Sequence, residues 1–222
     1  MSASPPVATP QTALIEIRNH PALDGPNGPG QLRLAAGELA FLGGESGTGK
    51  TRLLRQLLDL EPGLEGEAWV SGRSVATLEP RELRRHLGLL PQELPNHACT
   101  GRELIDRILG FARNHGACLD ASEIREWLDE MELEAHMDRE ISLLSGGEKR
   151  RLSLLALVVP RPAVLLLDEP EAGLDPRRRD ALDLFVQRAL GTGKAVLWVT
   201  HLEPAEVFRE AQRYRVVMRG AA

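Results

Sequence analysis

Residues 44 to 51 have the types and the spacing of a phosphate-binding loop. This stretch fits the pattern G-x-x-x-x-G-K-[S/T] at every fixed position, with Gly44, Glu45, Ser46, Gly47, Thr48, Gly49, Lys50 and Thr51. Glycines let the backbone wrap closely around phosphates, so that N–H groups and the start of the next helix face the anion. Lys50 would reach the β- and γ-phosphates, and the Thr51 hydroxyl would face Mg²⁺. The alternative is a glycine-rich turn that happens to carry Lys-Thr.

Two adjacent carboxylates end the purest apolar run of the chain. Residues 163 to 167 are Ala-Val-Leu-Leu-Leu, and Asp168, Glu169 and Pro170 follow. At the carboxyl end of a central strand, Asp168 would hold Mg²⁺. Glu169 would point to the γ-phosphate and polarise the attacking water as a general base. The other interpretation, in which Asp-Glu-Pro simply ends a strand, is disfavoured because phosphate and magnesium sites are required together and both occur.

A third motif, Leu144-Ser145-Gly146-Gly147-Glu148, lies between the other two. Ser145 is a good helix N-cap, and the glycines present bare backbone N–H groups at a helix start. The three motifs in this order resemble the ATP-binding cassette (ABC) ATPases over about residues 14 to 218. The resemblance implies a RecA-like P-loop NTPase core with a mostly parallel sheet, an N-terminal antiparallel β region and an inserted α-helical subdomain. It also implies ATP and Mg²⁺ as ligands.

The resemblance assigns further roles by position. Ser145, Gly146 and Gly147 would bind the γ-phosphate of ATP held by a second copy, in a head-to-tail dimer with two nucleotides at the interface. Gln92, after a strand and before the helical section, matches the Q-loop glutamine, which contacts Mg²⁺ or water. His201 matches the switch histidine at the γ-phosphate, and Gly173-Leu174-Asp175 falls at the D-loop. Glu148 replaces a common glutamine, a variation that we do not expect to matter.

The first loop departs from the family pattern. Members of the family place an aromatic ring, often Tyr, after the first strand to stack on adenine. Residues 19 to 22 here are Asn-His-Pro-Ala, without Tyr, Phe or Trp. His20 would supply a smaller ring. We therefore expect weaker base affinity or looser selectivity for ATP over GTP, with triphosphate recognition unaffected.

Alternating strands and helices must position these motifs. Hydrophobic periodicity predicts strands at 14–17, 32–34, 38–43, 68–70, 87–90, 164–167 and 195–200. It predicts helices at 50–60, 102–111, 122–131, 147–158 and 177–190. Such alternation indicates an α/β fold with a largely parallel sheet covered on both faces. The strand-free section at about 93–143 predicts a helical subdomain.

Composition sets limits on location and partners. The 27 Lys and Arg residues against 32 Asp and Glu argue against nucleic-acid binding by the overall field of the chain. Residues 1–12 lack the features of a signal peptide and predict a disordered tail before one domain at 13–222. The apolar stretch at 152–167 is interrupted by Pro160 and Pro162 and is too short to cross a bilayer. Two cysteines in no ligand spacing suit a reducing cytosol.

The resemblance, together with the lack of a membrane-spanning stretch in the sequence, implies an ATPase subunit that drives a separate integral membrane permease and lies in the cytoplasm at the inner face of the cell membrane. Short stretches, including 77–80 and 195–201, resemble the ATPases of small two-component exporters of the iron-efflux type. The haem-export ATPase of cytochrome c maturation is a second candidate. The alternatives from other classes are a soluble ABC ATPase of DNA repair, chromosome structure or translation, and a cassette that senses nucleotide without turnover.

Overall fold

The structure is a computed structural model, and it describes residues 12–94, 97–113, 118–172, 174, 176–202 and 205–217. The strands of this part are β1 Ala13–Arg18, β2 Leu23–Asp24, β3 Leu32–Ala35, β4 Leu39–Gly43, β5 Glu67–Val70, β6 Arg73–Ser74, β7 Leu87–Leu90, β8 Val164–Asp168, β9 Ala195–Val199 and β10 Gln212–Val216. The α-helices are α1 Lys50–Leu57, α2 Pro80–His86, α3 Gly101–Arg113, α4 Ala121–Glu130, α5 Gly146–Val158 and α6 Pro176–Gly191.

Two sheets organise these elements. The larger sheet has the strand order β2-β10-β4-β9-β8-β7, and its pairs are parallel except for β10 with β2. The smaller sheet, β3-β1-β5-β6, is antiparallel throughout. The carboxyl ends of β4, β8 and β9 therefore meet at one edge, which is where a doubly wound fold places its ligand. The α/β, P-loop type of fold is confirmed.

Apolar side chains cover both faces of the parallel sheet. Along β8, Leu165 and Leu167 pack with α4, α5 and α6, whereas Val164 and Leu166 pack with α1 and the antiparallel sheet. All four are fully buried, as expected of a central strand whose successive side chains point to opposite faces. This packing fixes the end of β8, and with it Asp168 and Glu169.

Several short elements were missed or misplaced by the sequence prediction. Strands β2, β6 and β10 and helix α2 were not predicted. β2 lies inside the predicted loop at 20–30, and its two residues form a strand only because they pair with the distant β10. Helix α1 ends at Leu57 rather than at residue 60. β9 ends at Val199 rather than at Thr200, whose hydroxyl caps the following turn by accepting the N–H of Leu202 at 3.0 Å.

The predicted helical section holds α3 and α4. Helix α4 begins at a capping box, in which the Asp120 carboxylate accepts the N–H of Glu123 and the Glu123 carboxylate accepts the N–H of Asp120. The division into a tail at 1–12 and one domain at 13–222 stays a prediction, and residues 1–11 lie outside the described part. In that part no helix is long and apolar enough to span a membrane.

Candidate functional site

The loop between β4 and α1 has the backbone conformations that its glycines predict. Gly44, Gly47 and Gly49 have φ angles of +140°, +81° and +98°. A Cβ at Gly44 would lie 2.5 Å from the carbonyl oxygen of Val216 in β10, so the loop runs against that strand too closely for any side chain. Helix α1 begins at Lys50, directly after the loop.

Lys50 points back into this loop. Its side chain is buried, and Nζ donates to the carbonyl oxygens of Gly44 at 2.9 Å and Glu45 at 2.8 Å. Burial lowers the pKa of Lys50, and the negative charges of Glu169 and Asp168 oppose that effect. The Thr48 hydroxyl donates to Glu45 O at 2.9 Å and closes the turn. The ammonium group is therefore held inside the ring of backbone that the motif predicts as a phosphate cradle.

Asp168 at the end of β8 contacts the start of α1. The Thr51 hydroxyl donates to Asp168 Oδ1 at 3.0 Å, and Asp168 is only 3% exposed. Burial raises the pKa of the Asp168 carboxyl, while the hydrogen bond from Thr51 favours the charged form. Two oxygen ligands predicted for Mg²⁺ thus lie side by side.

We expect Asp168→Asn to stabilise the metal-free protein at pH 7. The pKa of Asp168 is higher in the folded than in the unfolded chain, so the folded protein binds this proton more tightly. Stability therefore falls as the pH rises from the ordinary value of 3.8 through the folded value. An amide removes that cost and still accepts from Thr51. Urea unfolding at pH 7 should show a gain of about 0.5–2 kcal/mol, which should vanish near pH 3; an equal gain at both values would contradict this account.

Glu169 lies between two of the predicted site residues. Its Oε2 accepts a hydrogen bond from Gln92 Nε2 at 2.9 Å, and its Oε1 lies 2.9 Å from His201 Nε2. The backbone of Glu169 is in the left-handed region, with φ +46°, and its N–H donates to Val199 O at 3.0 Å. A strained backbone held by flanking contacts is common at functional sites. The structure thus brings together one residue from each of three segments that are distant in sequence.

The Ser145 loop lies apart from this group, at the start of α5. Ser145 Oγ accepts the N–H of Glu148, and Glu148 Oε2 accepts the N–H of Ser145 at 2.7 Å, which together form a capping box. The bond from the Ser145 N–H lowers the pKa of Glu148. Ser145 and Gly146 are exposed, while Gly147 is buried. The described contacts of Ser145 stay within its own helix turn, so its predicted role depends on a second molecule.

The sequence analysis missed two buried charged residues beside the site. Arg150 on α5 donates to the carbonyl oxygens of Pro91 and Gln92, each at 3.3 Å. Glu171 lies two residues beyond Glu169 and is 6% exposed. The sequence offered one indication of their importance, which is that each residue lies next to a motif. However, an arginine shortly after a helix cap and a glutamate in a turn are usually solvated, so neither was singled out.

The remaining predicted positions are His20 and the predicted D-loop at 173–175. His20 is buried, and its Nδ1 accepts the N–H of Ala22 at 3.3 Å, so it is not an exposed ring for stacking on a base. Gly173 and Asp175 of the predicted D-loop lie outside the described residues. An open cleft of about 850 Å³ beside the loop is lined by residues that include Gly44, Glu45, Thr48 and His201.

Comparison with known families gives a match over most of the chain. The profile of the family described as "ABC transporter" matches residues 28–172. An Fe(3+) ions import ATP-binding protein (FbpC) of Streptomyces avermitilis is 36% identical over 85% of this chain and 54% of its own length. A hemin import ATP-binding protein (HmuV) of Bradyrhizobium diazoefficiens is 35% identical over 77% of this chain and 66% of its own length.

A third relative is a daunorubicin resistance ATP-binding protein (DrrA2) of Streptomyces coeruleorubidus, 37% identical over 90% of this chain and 61% of its own length. The chain thus spans between one half and two thirds of these three relatives. Among solved structures, an ATP binding subunit of an ABC transporter superposes with a TM-score of 0.70 at 23% identity, over 85% of this chain and 80% of that one. That likeness bears on the fold.

Proposed function

The chain belongs to the family of ABC transporter ATP-binding proteins, and from that premise we propose that it binds and hydrolyses ATP to drive a separate membrane-spanning partner. The observation that carries the proposal is Glu169, held between Gln92 and His201 beside the Thr51–Asp168 pair. A carboxylate held at the mouth of a phosphate-binding loop is the arrangement that a general base for water attack requires.

We propose that the loop at 44–51 holds the triphosphate. Its exposed segment, Glu45 to Gly47, leaves backbone N–H groups accessible, and Lys50 would exchange its two carbonyl acceptors for phosphate oxygens. This exchange replaces neutral acceptors with charged ones, which form stronger hydrogen bonds. The same movement would release the carbonyls of Gly44 and Glu45 from the ammonium group.

The Thr51 hydroxyl and the Asp168 carboxylate fit a magnesium ion. Both are oxygen ligands, and they are already adjacent at 3.0 Å. In the described part of the chain no cluster of three or more His, Cys, Asp or Glu side chains could hold a metal alone. Mg²⁺ commonly takes one or two protein oxygens and completes its shell with phosphate and water. When bound there, Mg²⁺ would supply positive charge that offsets the charge of the phosphate oxygens.

Three side chains would act on the attacking water and the γ-phosphate. Glu169 would accept a proton from the water. Gln92 would orient the Glu169 carboxylate through its amide N–H, and His201 would place the γ-phosphate from the other side. The contacts at 2.9 Å on the two carboxylate oxygens support this division, because together they fix the plane of the carboxylate.

We propose that a second copy completes the site. The exposed start of α5 offers Ser145 and the backbone N–H groups of Gly146 and Gly147, which suit an anion. In a head-to-tail dimer this surface would cap the triphosphate bound by the other chain. Binding of two nucleotides at the interface would then favour a closed dimer, and hydrolysis would reopen it.

An apolar cavity between α3, α5 and β7 supports a membrane partner. Its volume is about 260 Å³, and its lining includes Pro91, His97, Leu104, Ile108 and Leu152. The cavity borders the loop that carries Gln92, so movement of that loop would be transmitted to a helix of the partner bound in the cavity. Co-purification of the tagged chain with a multi-spanning protein from detergent-solubilised membranes would test the pairing. A partner without membrane segments would overturn it.

For location and cargo, we propose the inner face of the cell membrane and iron export. The cargo proposal is supported by the short stretches at 77–80 and 195–201 that resemble exporters of the iron-efflux type. Relatives named for Fe(3+) import, hemin import and daunorubicin resistance span several cargoes. Haem export remains the second candidate.

The test of the enzymatic part is ATP turnover by the purified chain. We expect phosphate release with Mg²⁺ and none after addition of EDTA, because the charge on the triphosphate is then left uncompensated. GTP should be hydrolysed at a comparable rate, since the first loop presents no exposed aromatic ring. Nucleotide binding without any turnover would replace this proposal with a nucleotide sensor.

A further inference from the structure

Glu171 is a buried carboxylate whose two oxygens both accept hydrogen bonds from β9 and its end. Trp198 Nε1 donates to Oε2 at 2.7 Å, and the Thr200 hydroxyl donates to Oε1. Glu171, Trp198 and Thr200 are each less than a tenth exposed. A buried carboxylate is costly unless it is hydrogen-bonded, and here Trp198 of β9 and Thr200 just after it satisfy both oxygens.

Thr200 connects Glu171 to His201, which is the next residue in the chain. Its hydroxyl accepts the N–H of Leu202 at 3.0 Å while it donates to Glu171, so the carboxylate fixes the orientation of the hydroxyl that forms the turn around His201. His201 is itself exposed on its side-chain face and reaches Glu169 at 2.9 Å. The position of the imidazole therefore depends on a turn that Glu171 holds.

Arg150 on α5 is the second buried charged residue near the site. It is buried, and burial lowers its pKa while the negative charge of Glu171 opposes that effect. Its guanidinium group donates to the carbonyl oxygens of Pro91 and Gln92, which fixes the backbone of the loop that carries the Gln92 amide. The two side chains that hold Glu169 are thus each supported by a buried group, and these two groups attract each other.

We propose that Glu171 is a positioning residue that, through Thr200, holds His201, one of the two partners of the Glu169 carboxylate. The inference rests on the proposed ATPase function and extends it to a residue outside the motifs. Because α5 also carries Ser145, movement of that helix would reach the Gln92 loop through Arg150.

The variant that tests this role is Glu171→Gln. Trp198 and Thr200 both donate, and an amide has only one acceptor oxygen, so one donor loses its partner. We expect kcat for ATP to fall about tenfold or more, since small misplacements of reacting groups have effects of this size. KM for ATP should change less than about twofold. Glu206→Gln, at an exposed residue paired with Arg209, is the control and should match the wild type.

Two further measurements separate positioning from general stability. Thr200→Val removes the hydroxyl that connects Glu171 to the turn, so the Glu171→Gln/Thr200→Val double variant should be no slower than the slower single variant. The chain has three tryptophans, and Trp69→Phe/Trp127→Phe leaves Trp198 as the reporter. In that background Glu171→Gln should shift the emission of Trp198, because its N–H loses a charged acceptor.

The possible outcomes separate the role of Glu171 from the proposed ATPase function. An unchanged kcat in Glu171→Gln, or additive effects in the double variant, would overturn the inference while wild-type turnover leaves the ATPase proposal intact. If Glu171→Gln fails to fold, Thr200→Val alone tests the inference. A reduced kcat at constant KM would then support it, and a wild-type kcat would overturn it. A wild-type chain without turnover would overturn both.

Discussion

We expect Glu169→Gln to lower ATP turnover by about 10²–10⁴-fold, the range typical of general-base removal, and to leave binding of Mg²⁺–ATP intact. The amide has nearly the shape of the carboxylate and can still accept from Gln92, so the surrounding contacts at 2.9 Å change little. It has no basic oxygen to take a proton from water. Phosphate release and titration with a fluorescent ATP analogue measure the two effects separately.

Glu210→Gln is the matched control for this prediction. Glu210 is an exposed carboxylate in the turn before β10, and its loss should leave both turnover and binding at wild-type values. A Glu169→Gln variant with turnover within a few-fold of the wild type would assign the base elsewhere. Weaker nucleotide binding with proportionally reduced turnover would instead make Glu169 a binding group.

We expect Lys50→Met to weaken binding of Mg²⁺–ATP by about 30- to 150-fold, which corresponds to the roughly 2–3 kcal/mol of a charge-assisted hydrogen bond. The ammonium group lies inside the loop, where burial increases the strength of its attraction for phosphate. Methionine keeps the length and the apolar stem but loses the charge. Titration with the fluorescent analogue measures the change.

The control for the charge is Arg84→Met, which removes an exposed cation on α2 and should leave binding unchanged. Circular dichroism should show that Lys50→Met is folded, because the loop carbonyls that lose their donor remain accessible to water. Wild-type affinity in Lys50→Met would contradict the proposed position of the triphosphate.

The sequence was sufficient to predict where single motifs lie in the fold. Gly44 to Thr51 follow β4 and open α1, and Asp168 ends β8, because these patterns couple a local backbone requirement to chemistry. The adjacency of Thr51 and Asp168 also follows from the sheet, since parallel strands present their carboxyl ends on the same edge.

Contacts that depend on burial could not be predicted from the sequence. Arg150 and Glu171 look solvated in the sequence, but both are buried. Their hydrogen-bond partners are distant in the chain: Pro91 and Gln92 for Arg150, and Trp198 and Thr200 for Glu171. The sequence analysis considered His20 as the ring that stacks on adenine, because its loop follows the first strand as the aromatic residue of the family does. The structure turns its ring inward to cap the N–H of Ala22. Strand β10 was missed because its alternation of exposed and buried residues is short and its partners, β2 and β4, are distant in sequence.

The capping of each nucleotide by a second chain is tested most directly by mixing two inactive variants. Lys50→Met keeps an intact Ser145 surface, and Ser145→Arg keeps an intact loop at 44–51. Each alone should hydrolyse almost no ATP. When they mix freely, half of the dimers hold one chain of each kind and have one complete site, so about a quarter of the wild-type rate should return. No recovery at any mixing ratio, with both variants folded, would contradict completion of the site by a second chain.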